Sequence, residues 1–359
     1  MKKGLYIHIP FCDSKCSYCD FYSFKADETL KKEYCSSVVS HILGADTVFD
    51  TAYIGGGTPT ALSAEQLGSV ARTVNTKLFE DAEFTCEANP ARNLKDKMLL
   101  LKKAGVNRVS MGLQSANDNE LRRLSRIHSS EDVINAVDAV KTAGIDNFSL
   151  DLMMGIPEQT LKSLDKSIDF VLKTGAKHIS SYMLKIEKGT PFYKDPPILP
   201  EEDEVCEMYL HTVERLKKEG FLQYEVSNFA LEGYESRHNL NYWDCGEYLG
   251  IGPAAYSFMD GKRFYYERDI KSFISSPKAI DDGEGGDFSE YAMLRLRLTT
   301  GLERQECIKR FEGGEALFEA CLKRAQKFKG SPLINISEHS ISLTPQGFLV
   351  SNAVICQIV

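Results

Sequence analysis

Three cysteines stand within eight positions near the start of the chain, in IHIPFCDSKCSYCDFYSF: Cys12, Cys16 and Cys19, spaced C-x3-C-x2-C. Thiolates this close together on one loop bind metal, either zinc or an iron–sulfur cluster. A structural zinc site needs a fourth protein ligand. His8 and Asp20 are near enough to be considered, but His8 sits between Ile7 and Ile9 in an apolar run that reads as a strand, where a hydrogen-bonded histidine is the plainer assignment. A 4Fe-4S cluster needs only three thiolates and leaves one iron open to a non-protein ligand, and open coordination is the mark of a reactive metal site. The spacing favours the cluster, with zinc as runner-up. The other seven cysteines, at 35, 86, 206, 245, 307, 321 and 356, are scattered and read as small buried packing residues.

The elements that hold this loop follow from a repeating rhythm. Short apolar runs at 5–9, 51–54, 83–87, 108–111, 148–153 and 178–182 alternate with longer amphipathic stretches at 30–43, 64–75, 94–104, 131–142, 161–174 and 203–218. Gly105, Gly144, Gly175 and Gly220 stand where helices should stop. Ser63 with Gln66 has capping-box spacing. Alternating strands and helices imply a parallel sheet with helices outside. Six units, with a seventh strand expected at 223–226, predict an α/β fold: a partial (β/α)6 barrel resembling a TIM barrel, with its site at the carboxyl ends of the strands.

The rhythm covers residues 1–230. Residues 231–286 read as a connecting segment, with a Gly-rich turn at 248–253 and a flexible linker, DDGEGGD, at 281–287. Residues 287–359 read as a small, mostly helical α+β domain. The 359 residues, 43% of them apolar, suffice for one large domain and a small one. No apolar run approaches the roughly eighteen residues that span a membrane, so membrane contact is at most peripheral. The start lacks a secretory pattern, and a cytoplasmic protein is expected. The net charge of −8 counts against a nucleic-acid partner.

Several unusual residues fall just after strands, beside the cysteine loop in such a fold. GGGTPT at 55–60 follows the second strand. Glu87 ends the third, Gln114 the fourth and Asp151 the fifth, and Arg126 lies in the loop LSRIH. Singly each is a turn or a solvated strand end. Together they suit a polar ligand: glycines for close backbone approach, carboxylates for ammonium and hydroxyl groups, arginine for a carboxylate.

The cysteine spacing after a first strand, with Tyr18 before the third cysteine, resembles the radical S-adenosylmethionine superfamily. There the cofactor's methionyl amine and carboxylate chelate the open iron. Within it, YIHIPFC, GGGTPT, RVSMGLQS, DLMMGIPEQT and the C-terminal LTPQG resemble the oxygen-independent coproporphyrinogen III oxidase group over nearly the full length. The resemblance implies Cys12, Cys16 and Cys19 as cluster ligands. It also implies Tyr6, Tyr18, Gly56, Gly57, Thr58, Glu87, Gln114, Arg126 and Asp151 as S-adenosylmethionine contacts, with Tyr6 against the sulfonium, and a C-terminal domain of the type found in that group.

Two departures separate the chain from the oxidases. They carry a further cysteine two residues after the third, where this chain has Phe21, and an extension before the first strand, where this chain has five residues ahead of Tyr6. Both match a sister branch, the haem chaperones of the HemW type, whose marker H-N-x-x-Y-W is met by His238, Asn239, Tyr242 and Trp243. That resemblance implies haem as a further ligand. His238 would be the iron ligand, and the other three residues would lie nearby, or the whole cluster would serve only to dock its loop. Partners would be recipient haem proteins, respiratory ones among them, and the resemblance leaves room for a homodimer. Oxidative decarboxylation of coproporphyrinogen is the alternative, and that activity is not expected.

Overall fold

A computed structural model of the chain describes residues 2–90 and 94–359. Its frame is six parallel strands in chain order: β1 (Lys3–Ile9), β2 (Phe49–Gly56), β3 (Leu78–Ala88), β4 (Arg108–Gln114), β5 (Asn147–Met154) and β6 (His178–Met183). Helices Glu28–Leu43, Ala64–Asn75, Lys95–Lys103, Ser130–Thr142, Leu161–Thr174 and Glu202–Lys218 follow them in turn. The expected punctuation is present. Ser63 and Gln66 close a capping box, and Gly105, Gly144, Gly175 and Gly220 take the left-handed conformation that ends each helix without a Cβ clash.

The expected elements differ from the structure in three places. A seventh parallel strand does not follow β6 at 223–226; β7 (Leu222–Gln223) and β8 (Asn228–Ala230) form a short antiparallel edge there. The seventh parallel strand lies at the other side, where β9 (Glu247–Ile251) pairs with β1 across the stretch expected to be a turn. On the other side of β9, Gly250 admits β10 (Tyr256–Met259), because a Cβ there would collide with the Tyr256 carbonyl. The linker expected at 281–287 begins inside β12 (Ala279–Glu284), an edge strand paired with β11 (Lys262–Tyr266). Its acidic, Gly-rich composition reflects an exposed edge, which charges keep from pairing further.

Together these form a twelve-stranded sheet, ordered β12-β11-β10-β9-β1-β2-β3-β4-β5-β6-β8-β7. After residue 287 come helices including Phe288–Arg295, Gly314–Ala325 and Ser351–Ile358, with a small antiparallel sheet of β13 (Leu302–Glu303), β14 (Ile334–Ile336) and β15 (Ser340–Leu343). The whole is a partial six-unit barrel with a small α+β part at its carboxyl end. Among the described residues no helix is long and apolar enough to cross a membrane.

Parallel strands buried on both faces usually read as continuous apolar runs. Here the two faces differ. Leu5, Ile7 and Ile9, Val109, Met111 and Leu113, and Phe148, Leu150 and Leu152 are buried outward under the helices. The alternate positions Glu83, Thr85 and Glu87, Arg108 and Ser110, Ser149 and Asp151, and His178 and Ser180 face inward. The curved sheet therefore encloses a polar bore, and Tyr53 of β2 and Ser180 of β6 line the same cavity of about 380 Å³.

Candidate functional site

The cysteine loop is tied shut at its base. Cys12 N donates to Phe24 O (3.0 Å) and Phe24 N to Pro10 O (3.0 Å). Phe11 is fully buried beneath, its ring edge-on to Phe24 and to Tyr34. The loop thus presents three half-buried free thiols into the upper end of the bore. Cys12 Sγ lies 3.4 Å from Thr58 Oγ1, and Arg126 Nη1 donates to Cys16 Sγ at 3.5 Å. Burial, with the neighbouring thiols adding to it, pushes Cys19 up to about 11, so a close set of three thiolates requires positive charge among them. Among the described residues no three His, Cys, Asp or Glu side chains converge closely enough to hold a single metal ion. The three thiols line one cavity, and three thiolates are a donor set that suits a four-iron cluster with one iron left open. His8 behaves as the plainer assignment expects: its ring meets Tyr6 OH (3.0 Å) and Tyr22 O (2.9 Å), and burial lowers it to about 4.

The glycine turn after β2 is pressed against this loop. Gly57 N donates to Ile9 O (2.8 Å) and Thr58 N to Phe11 O (2.7 Å). A Cβ on Gly57 would stand 2.7 Å from the Ile9 carbonyl, and Gly56 has φ +104°. Gly56 N donates to Glu87 Oε2 at 3.1 Å. The turn's amide hydrogens are therefore spent on the protein, and what faces a ligand is its carbonyl side and the Thr58 hydroxyl. Glu87 also accepts from Tyr53 OH (2.8 Å). Burial, reinforced by the Asp151 carboxylate, raises Glu87 to about 7. Asp151 accepts from Ser110 Oγ at 3.2 Å and is likewise raised by burial. At the end of β4, Gln114 is held at φ +67°, a strained conformation for a residue with a side chain. Gly112 clears the space: a Cβ there would lie 2.6 Å from Gln114 Nε2 and 3.0 Å from Arg126 Nη2. Arg126 donates to Gly112 O (2.8 Å) while its Nε, buried, has no hydrogen-bond partner.

One cavity thus gathers Cys12, Cys16 and Cys19 with Tyr18, Gly56, Gly57, Thr58, Glu87, Gln114, Arg126 and Asp151. Tyr6 is not brought there. Its ring borders a second cavity of about 440 Å³ and its hydroxyl is engaged with His8. Sequence reasoning missed Tyr53, Arg108, Ser110, His178 and Ser180, which line the bore below Glu87. The signal was the alternation in RVSMG and HISSY, polar at every second residue of a buried strand.

The H-N-x-x-Y-W stretch forms a helix, Arg237–Trp243, at the opposite end of the strands. The amide hydrogens of Arg237 and His238 both donate to the Glu83 carboxylate at 3.0 Å, near the amino end of the inward face of β3. His238 is 1% exposed. Its Nδ1 meets Thr51 Oγ1 and its Nε2 meets Tyr242 OH, each at 2.8 Å, and its ring stacks on Tyr53 at 5.3 Å. Burial lowers it to about 3. A Cβ on Gly4 would lie 3.2 Å from this ring, so the glycine in β1 admits the helix. The helix plugs the lower end of the bore, and Arg295 and Arg310 of the C-terminal part clasp its last turn through the Asp244 carboxylate and carbonyl. The four marker residues are therefore divided. Asn239 borders the bore floor, and Tyr242 borders the second cavity with Tyr6, Cys245, Tyr248, Arg263 and Glu290. His238 is locked between them, and Trp243 is half-buried outside both.

Comparison with known proteins adds to this geometry. Residues 6–171 match the radical SAM superfamily. The heme chaperone HemW of Bacillus subtilis strain 168 is 36% identical, covering 98% of this chain and 98% of its own length. That of Escherichia coli K12 is 37% identical over 85% of each. That of Mycobacterium tuberculosis H37Rv is 31% identical over 98% of this chain and 93% of its own. Among solved structures, coproporphyrinogen III oxidase from Escherichia coli, a radical SAM enzyme, superposes with a TM-score of 0.84 at 19% identity, covering 99% of this chain and 90% of that one. At that identity the likeness shows the fold.

Proposed function

Because this chain belongs to the HemW family of the radical SAM superfamily, we propose that it is a haem chaperone, binding haem and passing it to haem proteins while carrying a 4Fe-4S cluster and S-adenosylmethionine. The observation that supports this most is the convergence of three thiols, Thr58, Glu87, Gln114, Arg126 and Asp151 on one cavity at the carboxyl ends of the strands. When bound, the cluster supplies one-electron chemistry at an iron that three thiolates leave open. The chain's own residues hold and orient. Cys12, Cys16 and Cys19 bind three irons. Arg126 donates toward the thiolate side and toward a carboxylate. Glu87 and Asp151 accept hydrogens from ammonium or ribose hydroxyl groups, and Tyr18 supplies an aromatic wall of the same cavity. We place the protein in the cytoplasm, with recipient haem proteins as its partners.

Haem contact by the marker residues carries a structural condition. His238 Nε2 can reach an iron only after Tyr242 OH releases it, and Tyr242 stands on the side of the second cavity. Tyr242→Phe frees that nitrogen without moving the helix, so it should tighten haem binding if His238 is the ligand. His238→Ala should weaken it. Equal affinity in all three proteins would remove His238 as ligand.

The test of the reading is anaerobic reconstitution with iron and sulfide, then haem titration and a coproporphyrinogen assay on one sample. Four iron and four sulfide per chain, a spectral response to S-adenosylmethionine and stoichiometric haem binding are expected, with no protoporphyrinogen formed. The fold likeness to the oxidase keeps decarboxylation as the second reading, and turnover in that assay would establish it.

A further inference from the structure

We propose that Arg108 anchors a carboxylate of the second ligand sharing the bore, and that this carboxylate is a propionate of haem; the proposal rests on the haem-chaperone reading above. Arg108 opens β4 on the inward face, is 2% exposed and borders the cavity. Burying a cation is costly unless an anion and hydrogen bonds compensate it. Yet its Nε has no hydrogen-bond partner, and its two register neighbours on the adjacent strands repeat the pattern. Thr85 Oγ1 on β3 and Asn147 Oδ1 on β5 are buried oxygens without partners. Asp151 feels the guanidinium's field but directs its carboxylate to the hydroxyls of Ser110 and Ser180. Of these three, Arg108 Nε and the Thr85 hydroxyl can donate to an anion, whereas Asn147 Oδ1 only accepts, and Arg108 is the one that borders the cavity.

The chemistry points to a carboxylate. A guanidinium is a planar fork that matches two carboxylate oxygens at once. Asn239 of the plugging helix borders the same floor and can donate to a carboxylate oxygen. The cofactor's own carboxylate is a poor candidate for this place. In this superfamily it belongs beside the open iron, where Arg126 already stands against Cys16. Arg108 lies six residues before Gln114 along β4, about 20 Å at the rise of a strand. A porphyrin propionate is the carboxylate that the proposed ligand brings to the end of the bore where the marker helix sits.

The experiment compares haem with haem dimethyl ester, whose propionates are capped, by Soret titration of the reconstituted protein and of its Arg108→Gln and Arg108→Lys variants. The wild type should prefer haem about tenfold or more. Arg108→Gln should bring that ratio near one by weakening haem and leaving the ester unchanged, and Arg108→Lys should fall between. Affinity for S-adenosylmethionine should stay within twofold. Ligand-free Arg108→Gln should melt close to wild type, because it removes a buried charge that the Asp151 field offsets only in part and whose Nε has no hydrogen-bond partner. An unchanged haem-to-ester ratio overturns the proposal. So does a loss of S-adenosylmethionine affinity equal to the loss for haem, which would give the anion to the cofactor. If the wild type does not bind haem, the chaperone reading falls and this inference with it; intact binding without discrimination removes this inference alone.

Discussion

The cysteine-loop site and the marker helix, at opposite ends of the bore, are built on opposite terms. At the upper end the thiols are half-buried and free, Gln114 is strained at φ +67°, and Arg126 Nε lacks a partner. The marker helix at the lower end is held by its neighbours: both ring nitrogens of His238 are bonded, the leading amide hydrogens rest on Glu83, and Arg295 and Arg310 hold the last turn, while the bore wall beside it keeps Arg108 Nε and Thr85 Oγ1 unpaired. Buried polar groups are normally paired, so unpaired and strained ones mark places kept for a ligand, and paired ones mark architecture. A short motif that distinguishes a family can belong to the second kind and still govern function, by setting the floor against which a ligand rests.

The sharpest way to break this comparison is to remove one group from each end. Cys16→Ala should abolish incorporation of iron and sulfide on reconstitution while leaving the melting of the cluster-free protein nearly unchanged. His238→Ala should do the reverse. It strands Thr51 Oγ1 and Tyr242 OH and opens a hole beside Tyr53, at a cost of about 2–4 kcal/mol in denaturant unfolding. Cluster content per folded chain should hold. If His238→Ala instead loses the cluster at unchanged stability, the lower end is not architecture.

Titration sharpens the same contrast. Glu87 is raised to about 7 in the folded chain, and only its carboxylate accepts hydrogens from a ligand. Affinity for S-adenosylmethionine should therefore rise as pH climbs through about 7, and Glu87→Gln should flatten that rise and lower affinity about tenfold. His238 acts on stability with a lowered folded value of about 3 against 6.5. The unfolded chain takes up a proton below 6.5 that the folded chain refuses, so stability falls with pH from 6.5 toward 3, by at most about 1.4 kcal/mol per unit for this group. His238→Gln should reduce the slope of unfolding free energy against pH by up to one proton. Glu87 has the opposite sign in stability, since the folded chain keeps a proton that the unfolded chain loses between about 4.5 and 7.

The upper end was legible in the sequence because its signals are local. Cysteine spacing, the Gly-rich turn and polar residues at strand ends are all visible within a few positions, and the βα rhythm places them together. The lower end was not, because its logic is long-range: the helix is seated by a carboxylate 154 residues away in sequence, Glu83 to Arg237. The bore lining was half-legible. The alternation in β4 and β6 can be read from one sequence, but with both faces buried nothing local says that the polar face points inward. Tyr6 shares the inward alternation of β1, yet β9 and the marker helix form the neighbouring wall, so its ring meets the second cavity. The acidic 281–287 stretch misled because composition reports exposure, and an edge strand is as exposed as a linker.

The smallest expected effect belongs to Trp243, the chain's single tryptophan. It ends the marker helix half-buried and borders neither cavity. A residue that only packs the helix end should tolerate another flat apolar ring, so Trp243→Phe should change haem affinity by less than threefold and stability by under about 1.5 kcal/mol. Its fluorescence is nevertheless a local reporter. Haem seated at the bore floor or in the second cavity lies on one or other side of the same helix, and quenching should saturate at one haem per chain. Paired with Arg108→Gln and Tyr242→Phe, the quenching also separates the two locations. A haem held by Arg108 should lose its quenching midpoint in the first variant, and one held beside Tyr242 should shift it in the second. A tenfold loss of affinity in Trp243→Phe would instead make this ring a ligand contact and erase the distinction drawn between the two ends.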